Sequence, residues 1–197
     1  MNSIVRTRKG EIVQDPPLVV KLISHPLAGL MWLPLRIWLG FQWLEAGLHK
    51  VQNPAWVVTG EALKGFWTSA VAIPETGRPA ITFDWYRSFL QVLLDGQAYT
   101  WFAKLVAYGE VLVGIGLIIG AFTGIAAFFG GLMNFNFMLA GSASTNPLLF
   151  VIAVGLILAW KVSGYFGADY FLLRWIGTPW HSRREPEAVK ASAPKPA

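Results

Sequence analysis

From Val111 to Trp160 the chain runs for fifty residues without an Asp, Glu, Lys, Arg or His. As one helix this stretch would be ~75 Å long at ~1.5 Å per residue, against a bilayer hydrocarbon core of ~30 Å. It has to fold back on itself, and breaks are visible at Gly120–Gly124 and Gly141–Pro147. A helix on the surface of a soluble domain alternates charge with its apolar face. This stretch offers water nothing, so the pattern predicts a polytopic membrane protein.

Extended to the whole chain, the pattern predicts an all-α fold, a bundle of four transmembrane helices occupying residues 27–173. Spans are expected at about 27–50, 104–122, 124–141 and 148–166, with Pro34 in the early turns of the first, where a missing N–H is easiest to tolerate. Residues 1–26 form a basic, proline-bearing segment without a small-residue cleavage site, so the first apolar segment is read as an anchor and no cleaved signal is expected. Between the first two spans lies a semi-polar loop, 51–103. It holds two amphipathic stretches, near Glu61–Ala72 and Asp84–Asp95, the second closed by Gly96. Phe66, Trp67, Trp85, Phe89, Trp101 and Phe102 line these pieces and are expected to rest on the membrane surface. The tail, 174–197, is expected to be disordered from about residue 181, where Pro, Ala and Lys leave nothing to bury.

Composition narrows the class. Hydrophobic residues make up 54% of the chain and charged residues 14%, and ten Trp fit interfacial belts. The net charge of +5 does not point to nucleic acid, because the basic residues flank the apolar core. Arg6, Arg8, Lys9 and Lys21 precede it; Arg174, Arg183, Arg184, Lys190 and Lys195 follow it. In the long loop Lys64, Arg78 and Arg87 are balanced by Glu61, Glu75, Asp84 and Asp95. Positive-inside bias therefore predicts both termini cytoplasmic, the long loop outside, and residence in the cell's inner or plasma membrane. With no Cys, disulfides, thiolate metal sites and iron–sulfur clusters within the chain are excluded. No metal or nucleotide motif is evident either.

Ionisable residues within spans are costly and become candidates for function. Glu45 shares one face of the first helix with Gln42 and His49, while Arg36 lies on another stripe with Gly40, Trp43, Gly47 and Lys50. Glu45, His49, Lys50, Glu110, Asn134, Asn136 and Asn146 fall toward the outer side; Arg36, Lys161 and Asp169 fall toward the inner. The outer set suits a quinone carbonyl, its protons, or a small anion. Glu45, His49 and Glu110 are read as catalytic candidates, with Lys50, Asn134 and Asn136 contacting substrate or quinone. Equally, Glu45 or Glu110 with Lys50 reads as a structural ion pair. Arg36 with Asp169 reads as an inner ion-pair clamp between the first and fourth helices. Asn134 and Asn136 differ by ~200° around a helix, so one of them is expected to be interhelical glue. Gly116, Gly120 and Gly124, with Gly130 and Gly131, read as close-packing positions.

Two blocks resemble the DoxX/DoxD-like family of small four-helix membrane proteins. The first is Leu35-Arg36-Ile37-Trp38-Leu39-Gly40, continuing through Ala46-Gly47-Leu48-His49-Lys50 to Asn53-Pro54. The second is Gly109-Glu110 with Gly114 and Gly120, followed by the Gly-Tyr-Phe-Gly-Ala-Asp run from Gly164 to Asp169. Together they span roughly residues 30–170. The family includes a membrane subunit of thiosulfate:quinone oxidoreductase, so the resemblance implies quinone-linked electron transfer from an outer reduced sulfur anion such as thiosulfate. It carries over Arg36, Lys50, Glu110 and Asp169; Glu45 and His49 are read from the helix face alone. The rival expectation is an accessory or scaffold subunit of a larger respiratory or other membrane complex, docking through Trp67, Trp85 or Trp101. The partners expected are the lipid bilayer and other subunits.

Overall fold

A computed structural model describes residues 15–176. Among the described residues the fold is entirely helical, in ten helices. A short α1 (Pro17–Ser24) bends by 56° into α2 (Ala28–Val51). Three pieces follow, α3 (Pro54–Val57), α4 (Glu61–Val71) and α5 (Asp84–Asp95). The long α6 (Tyr99–Ile119) turns at once into α7 (Thr123–Leu139). The chain closes with α8 (Asn146–Leu158), α9 (Trp160–Ser163) and α10 (Asp169–Ile176).

By length and composition α6 is long and apolar enough to cross a bilayer, and α1 with α2 passes as a bent pair. α7 and α8 are as apolar in character but shorter, at 17 and 13 residues. The fourth helix expected at 148–166 needs correction. Helical geometry fails at Ala159 (φ −89°, ψ 18°), and the chain resumes as the single turn α9. The break lets the following carbonyls, Ser163 O and Phe166 O, turn toward α2, where Arg36 takes them at 3.1 and 3.2 Å. Residues beyond 176, including the tail expected to be disordered, lie outside the described residues.

α2 and α6 form the closest helix pair. On α2 Gly40 faces Gly114 and Ile118 of α6 and Gly47 faces Val111 and Glu110, and a Cβ at Gly114 would stand 2.6 Å from the backbone nitrogen of Leu44. Small residues let helix backbones approach where no side chain intervenes. The seam therefore uses glycines other than the Gly116, Gly120, Gly124 series. Gly120 ends α6 in the left-handed region (φ +70°) against the Arg36 guanidinium, and Gly124 abuts Trp160. α6 continues onto α7 and α7 onto α8, whereas α8 meets α2 only loosely. Leu39, Trp43, Val113, Leu117, Ala127, Ala153 and Leu156 fill the centre.

At one end α3–α5 form a lid with a core of its own, in which Leu63, Trp67, Ile81, Tyr86 and Leu90 pack on Tyr99, Ala103 and Ala140. The loop aromatics divide accordingly. Trp67 turns inward, edge-on to Phe102 at 5.5 Å, while Trp85, Phe89 and Trp101 remain on the surface. Tyr86 ties the lid down: its hydroxyl donates to the Asn136 main-chain oxygen (3.1 Å) or side-chain oxygen (3.2 Å) on α7. Burial pushes the Tyr86 hydroxyl above its ordinary pKa of 10.0, which keeps it a donor.

Candidate functional site

Where α2 and α8 splay beneath the lid, the bundle leaves an open chamber of about 490 Å³. That is within the ~300–1,000 Å³ of small-molecule sites. Its walls come from α2, α6, α7, the turn before α8, and the lid residues Trp56 and Phe66. Six residues singled out from sequence converge here: Glu45, His49, Lys50, Glu110, Asn134 and Asn146. They lie as much as 101 positions apart in the chain, and the antiparallel stacking of α2, α6, α7 and α8 brings them to one end.

At the base of the chamber Lys50 Nζ donates to Glu110 Oε2 at 2.6 Å. The two sit differently, with Glu110 1% exposed and Lys50 20%. The Lys50 ammonium also lies 5.3 Å from the Trp56 ring centre, a cation–π distance. Of the ion pairs left open by the sequence, the structure contains Lys50 with Glu110. A carboxylate this deep needs its cation, since an unpaired buried charge costs several kcal/mol on the order of 3–5.

Asn134 is the unusual member. It is 0% exposed, and both its amide oxygen and its amide nitrogen lack a hydrogen-bond partner. Trp43, also buried and lining the chamber, has an unpartnered indole N–H that lies over Gly130, one turn from Asn134 on α7. Buried polar groups in proteins are nearly always satisfied, so three unmet atoms on two residues that line one cavity are exceptional. Sequence reasoning passed over Trp43, because it sits on the Arg36–Gly40–Gly47 stripe that reads as packing. Trp43 is the one residue of that stripe short of Lys50 that lines the chamber.

Glu45 and His49 have a different station from Glu110. Both are exposed, and they form the ridge of α2 between the chamber and a neighbouring hollow of about 410 Å³ lined by Phe41, Leu44, Leu48 and Gln52. They stand at the mouth, where they can exchange protons with the surroundings without touching the deepest groups. Asn146 opens α8 and donates from its amide to Ser142 O at 2.9 Å.

Asn136 is not part of the chamber. Its side chain donates to Leu132 O at 2.8 Å and accepts from Tyr86, so it anchors the lid. The grouping of Asn136 with Lys50 and Asn134 is thereby corrected, as the ~200° between neighbours two apart on a helix requires.

Arg36 and Asp169 meet in a separate knot at the far end. They bond to backbone, not to each other. Arg36 caps the carbonyls of Ser163 and Phe166, while the Asp169 carboxylate accepts from Phe122 N (2.6 Å) and Thr123 N (2.9 Å) at the start of α7. Asp169 N and Ala168 N in turn donate to Gly120 O and Ile119 O at 2.7 and 3.0 Å. An acid at a helix N-terminus and a cation at terminal carbonyls each complement the helix dipole. The expected direct ion pair is replaced by two reciprocal caps, because each charge is closer to the open helix ends than to the other. Lys161 is exposed.

Among the described residues no three His, Asp or Glu come together as a metal site. Comparison with known proteins adds no relative: no protein-family model matches the chain, and neither a curated protein nor a solved structure does.

Proposed function

We propose that the chain is a DoxX-like four-span membrane protein whose lid-end chamber binds the head of a quinone and serves quinone-linked electron transfer. The four spans are α1–α2, α6, α7 and the broken α8–α9, the last running over residues 146–163. α7, at 17 residues, is ~25 Å long, short for a ~30 Å core but within the range of spanning helices. Large apolar side chains point outward along these helices, among them Leu112, Phe129, Val151 and Leu158, as a lipid-facing surface requires. Both termini lie on the cytoplasmic side of the plasma membrane and the lid outside, by the Lys and Arg balance.

The observation that carries the reading is Asn134, its amide unmet on both atoms in a chamber walled by the Lys50–Glu110 pair. A quinone accepts two electrons and two protons on a ring whose carbonyls need donors. Asn134 and Trp43, each with an unpartnered N–H, and Lys50 belong to the chamber wall and supply the donors, and Asn134 Oδ1 takes a hydroxyl once the ring is reduced. Lys50 stabilises negative charge that develops on a carbonyl oxygen. Glu110 holds the ammonium in place, and His49 and Glu45 at the mouth supply protons. The electron donor is an outer reduced sulfur anion such as thiosulfate, a choice that rests on the family resemblance.

The test is purification from native membranes in mild detergent, with bound quinone extracted and quantified. Wild-type protein retains quinone, and retention falls about tenfold, ~1.4 kcal/mol, in Asn134→Leu. Absence of quinone, or equal retention in the variant, refutes the reading. A second reading, an accessory subunit, is favoured by the exposed aromatics Trp85 of the lid (63%) and Trp101 of α6 (56%). Under it, Trp85→Ala with Trp101→Ala detaches a co-purifying subunit. Trp67 is unsuited to that role because it is buried within the lid.

A further inference from the structure

A second cavity of about 400 Å³ lies on the opposite side of α6 and α7, roofed by the lid. Its deep wall is made by Leu63, Trp67 and Leu90 of the lid with Val106 and Val113 of α6, all buried. Toward the bilayer it opens past Leu105, Leu112 and Leu132. The polar groups at its edge are spoken for: the Tyr86 hydroxyl is bonded to Asn136, and Asn136 to Leu132 O. The cavity can therefore hold only hydrocarbon.

Its position relative to the chamber decides what hydrocarbon. Phe66 of α4 and Phe137 of α7 line both cavities, so beneath the lid the two approach each other at this pair of rings. The next residues on α6 divide the same way, with Glu110 on the chamber side and Gly109 on the groove side. A Cβ at Gly109 would meet nothing nearer than Met133 Sδ at 3.9 Å, so the glycine leaves open space there. A pocket walled by polar residues, sharing two aromatic rings with a roofed apolar slot, has the form of a site for one amphiphile.

We propose that this groove receives the polyisoprenoid tail of the ligand whose head occupies the chamber, the tail passing between Phe66 and Phe137. The inference rests on the quinone reading above and specifies its ligand: a long-tailed, membrane-borne quinone entering from the bilayer. Phe66 and Phe137 are then positioning residues that order the first tail segment.

The test measures binding of two probes to purified protein in nanodiscs, a benzoquinone with a polyisoprenoid tail and the same ring without one. Two variants fill the groove, Gly109→Leu from its floor and Leu132→Trp from its rim. The expected result is about tenfold weaker binding of the tailed quinone in both variants, with the tailless ring bound as by wild type. The unchanged tailless affinity also reports an intact fold. Equal binding of the tailed probe by wild type and the folded variants overturns the groove and leaves the chamber reading standing. If wild-type protein binds neither probe, the chamber reading falls and the groove with it. If filling the groove expels a phospholipid while quinone binding is unchanged, the slot holds an ordinary acyl chain and the proposal is overturned.

Discussion

Replacing Asn134 by Leu should stabilise the ligand-free protein while weakening about tenfold what the chamber binds. Asn134 is fully buried, and its amide oxygen and nitrogen both lack partners. Leaving a buried polar group unsatisfied costs about 1–3 kcal/mol, a cost the free protein carries at all times. Leucine keeps the branched outline of the side chain and has nothing to satisfy, and the packing cost of its bulkier methyl groups offsets part of that gain. The net gain expected is about 1–2 kcal/mol, or a rise in Tm of about 2–8 °C for a chain of this length. The assay is thermal unfolding in detergent after quinone has been stripped by exchange. Re-adding quinone at about 100 times the wild-type Kd should stabilise wild type by about 2.7 kcal/mol and the variant, with its tenfold weaker binding, by only about 1.4 kcal/mol. A fall in the stripped variant's Tm would refute the reasoning. It would mean that Asn134 is helix glue and its hydrogen bonds are part of the resting fold.

Four further outcomes follow from the geometry. Asp169→Ala removes the acceptor of two main-chain N–H bonds at the start of α7 and should cost about 3–5 kcal/mol, read as a large drop in Tm. Lys50→Met strands a Glu110 that is almost wholly buried and should cost about 3–5 kcal/mol, whereas adding Glu110→Leu should restore most of the loss in the same unfolding assay. Gly114→Leu drives a side chain into the Leu44 backbone across the α2–α6 seam, and the expected result is loss of monodisperse protein on size exclusion. Tyr86 has a raised folded pKa, so its share of stability is complete below about pH 10 and declines as pH climbs from there through the folded value. Tyr86→Phe should cost about 1 kcal/mol at neutral pH and flatten that alkaline decline, as monitored by proteolysis of the lid loop.

The lid shows how far local pattern carries. Asp84–Asp95 is legible as an amphipathic helix from its period and from Gly96, and α5 has those bounds. Which aromatics turn inward was not legible. Trp67 and Trp85 look alike in sequence, and only docking on α6 separates the buried one from the exposed one. The fourth apolar stretch likewise reads as one helix from 148 to 166. The break at Ala159 is settled by Arg36, more than 120 positions away, drawing carbonyls toward itself.

The polar residues divide along the same line. Their expense in an apolar chain marks Glu45, His49, Lys50, Glu110, Asn134 and Asn146 as notable, and their place in each apolar run assigns them to one end. Charge-free length, helix content and depth are properties of single segments, and the sequence by itself determined those. Rotation of each helix about its axis is a property of pairs. The small-residue seam of Gly40, Gly47 and Gly114 fixes α2 against α6, which turns Lys50 and Glu110 toward each other and leaves Glu45 and His49 at the mouth. Asn134 and Asn136 differ only in rotation, and packing sent one into the chamber and the other to the lid. Whether a costly side chain became a binding group or a fastener was therefore decided by tertiary structure, because only packing sets which way each helix faces.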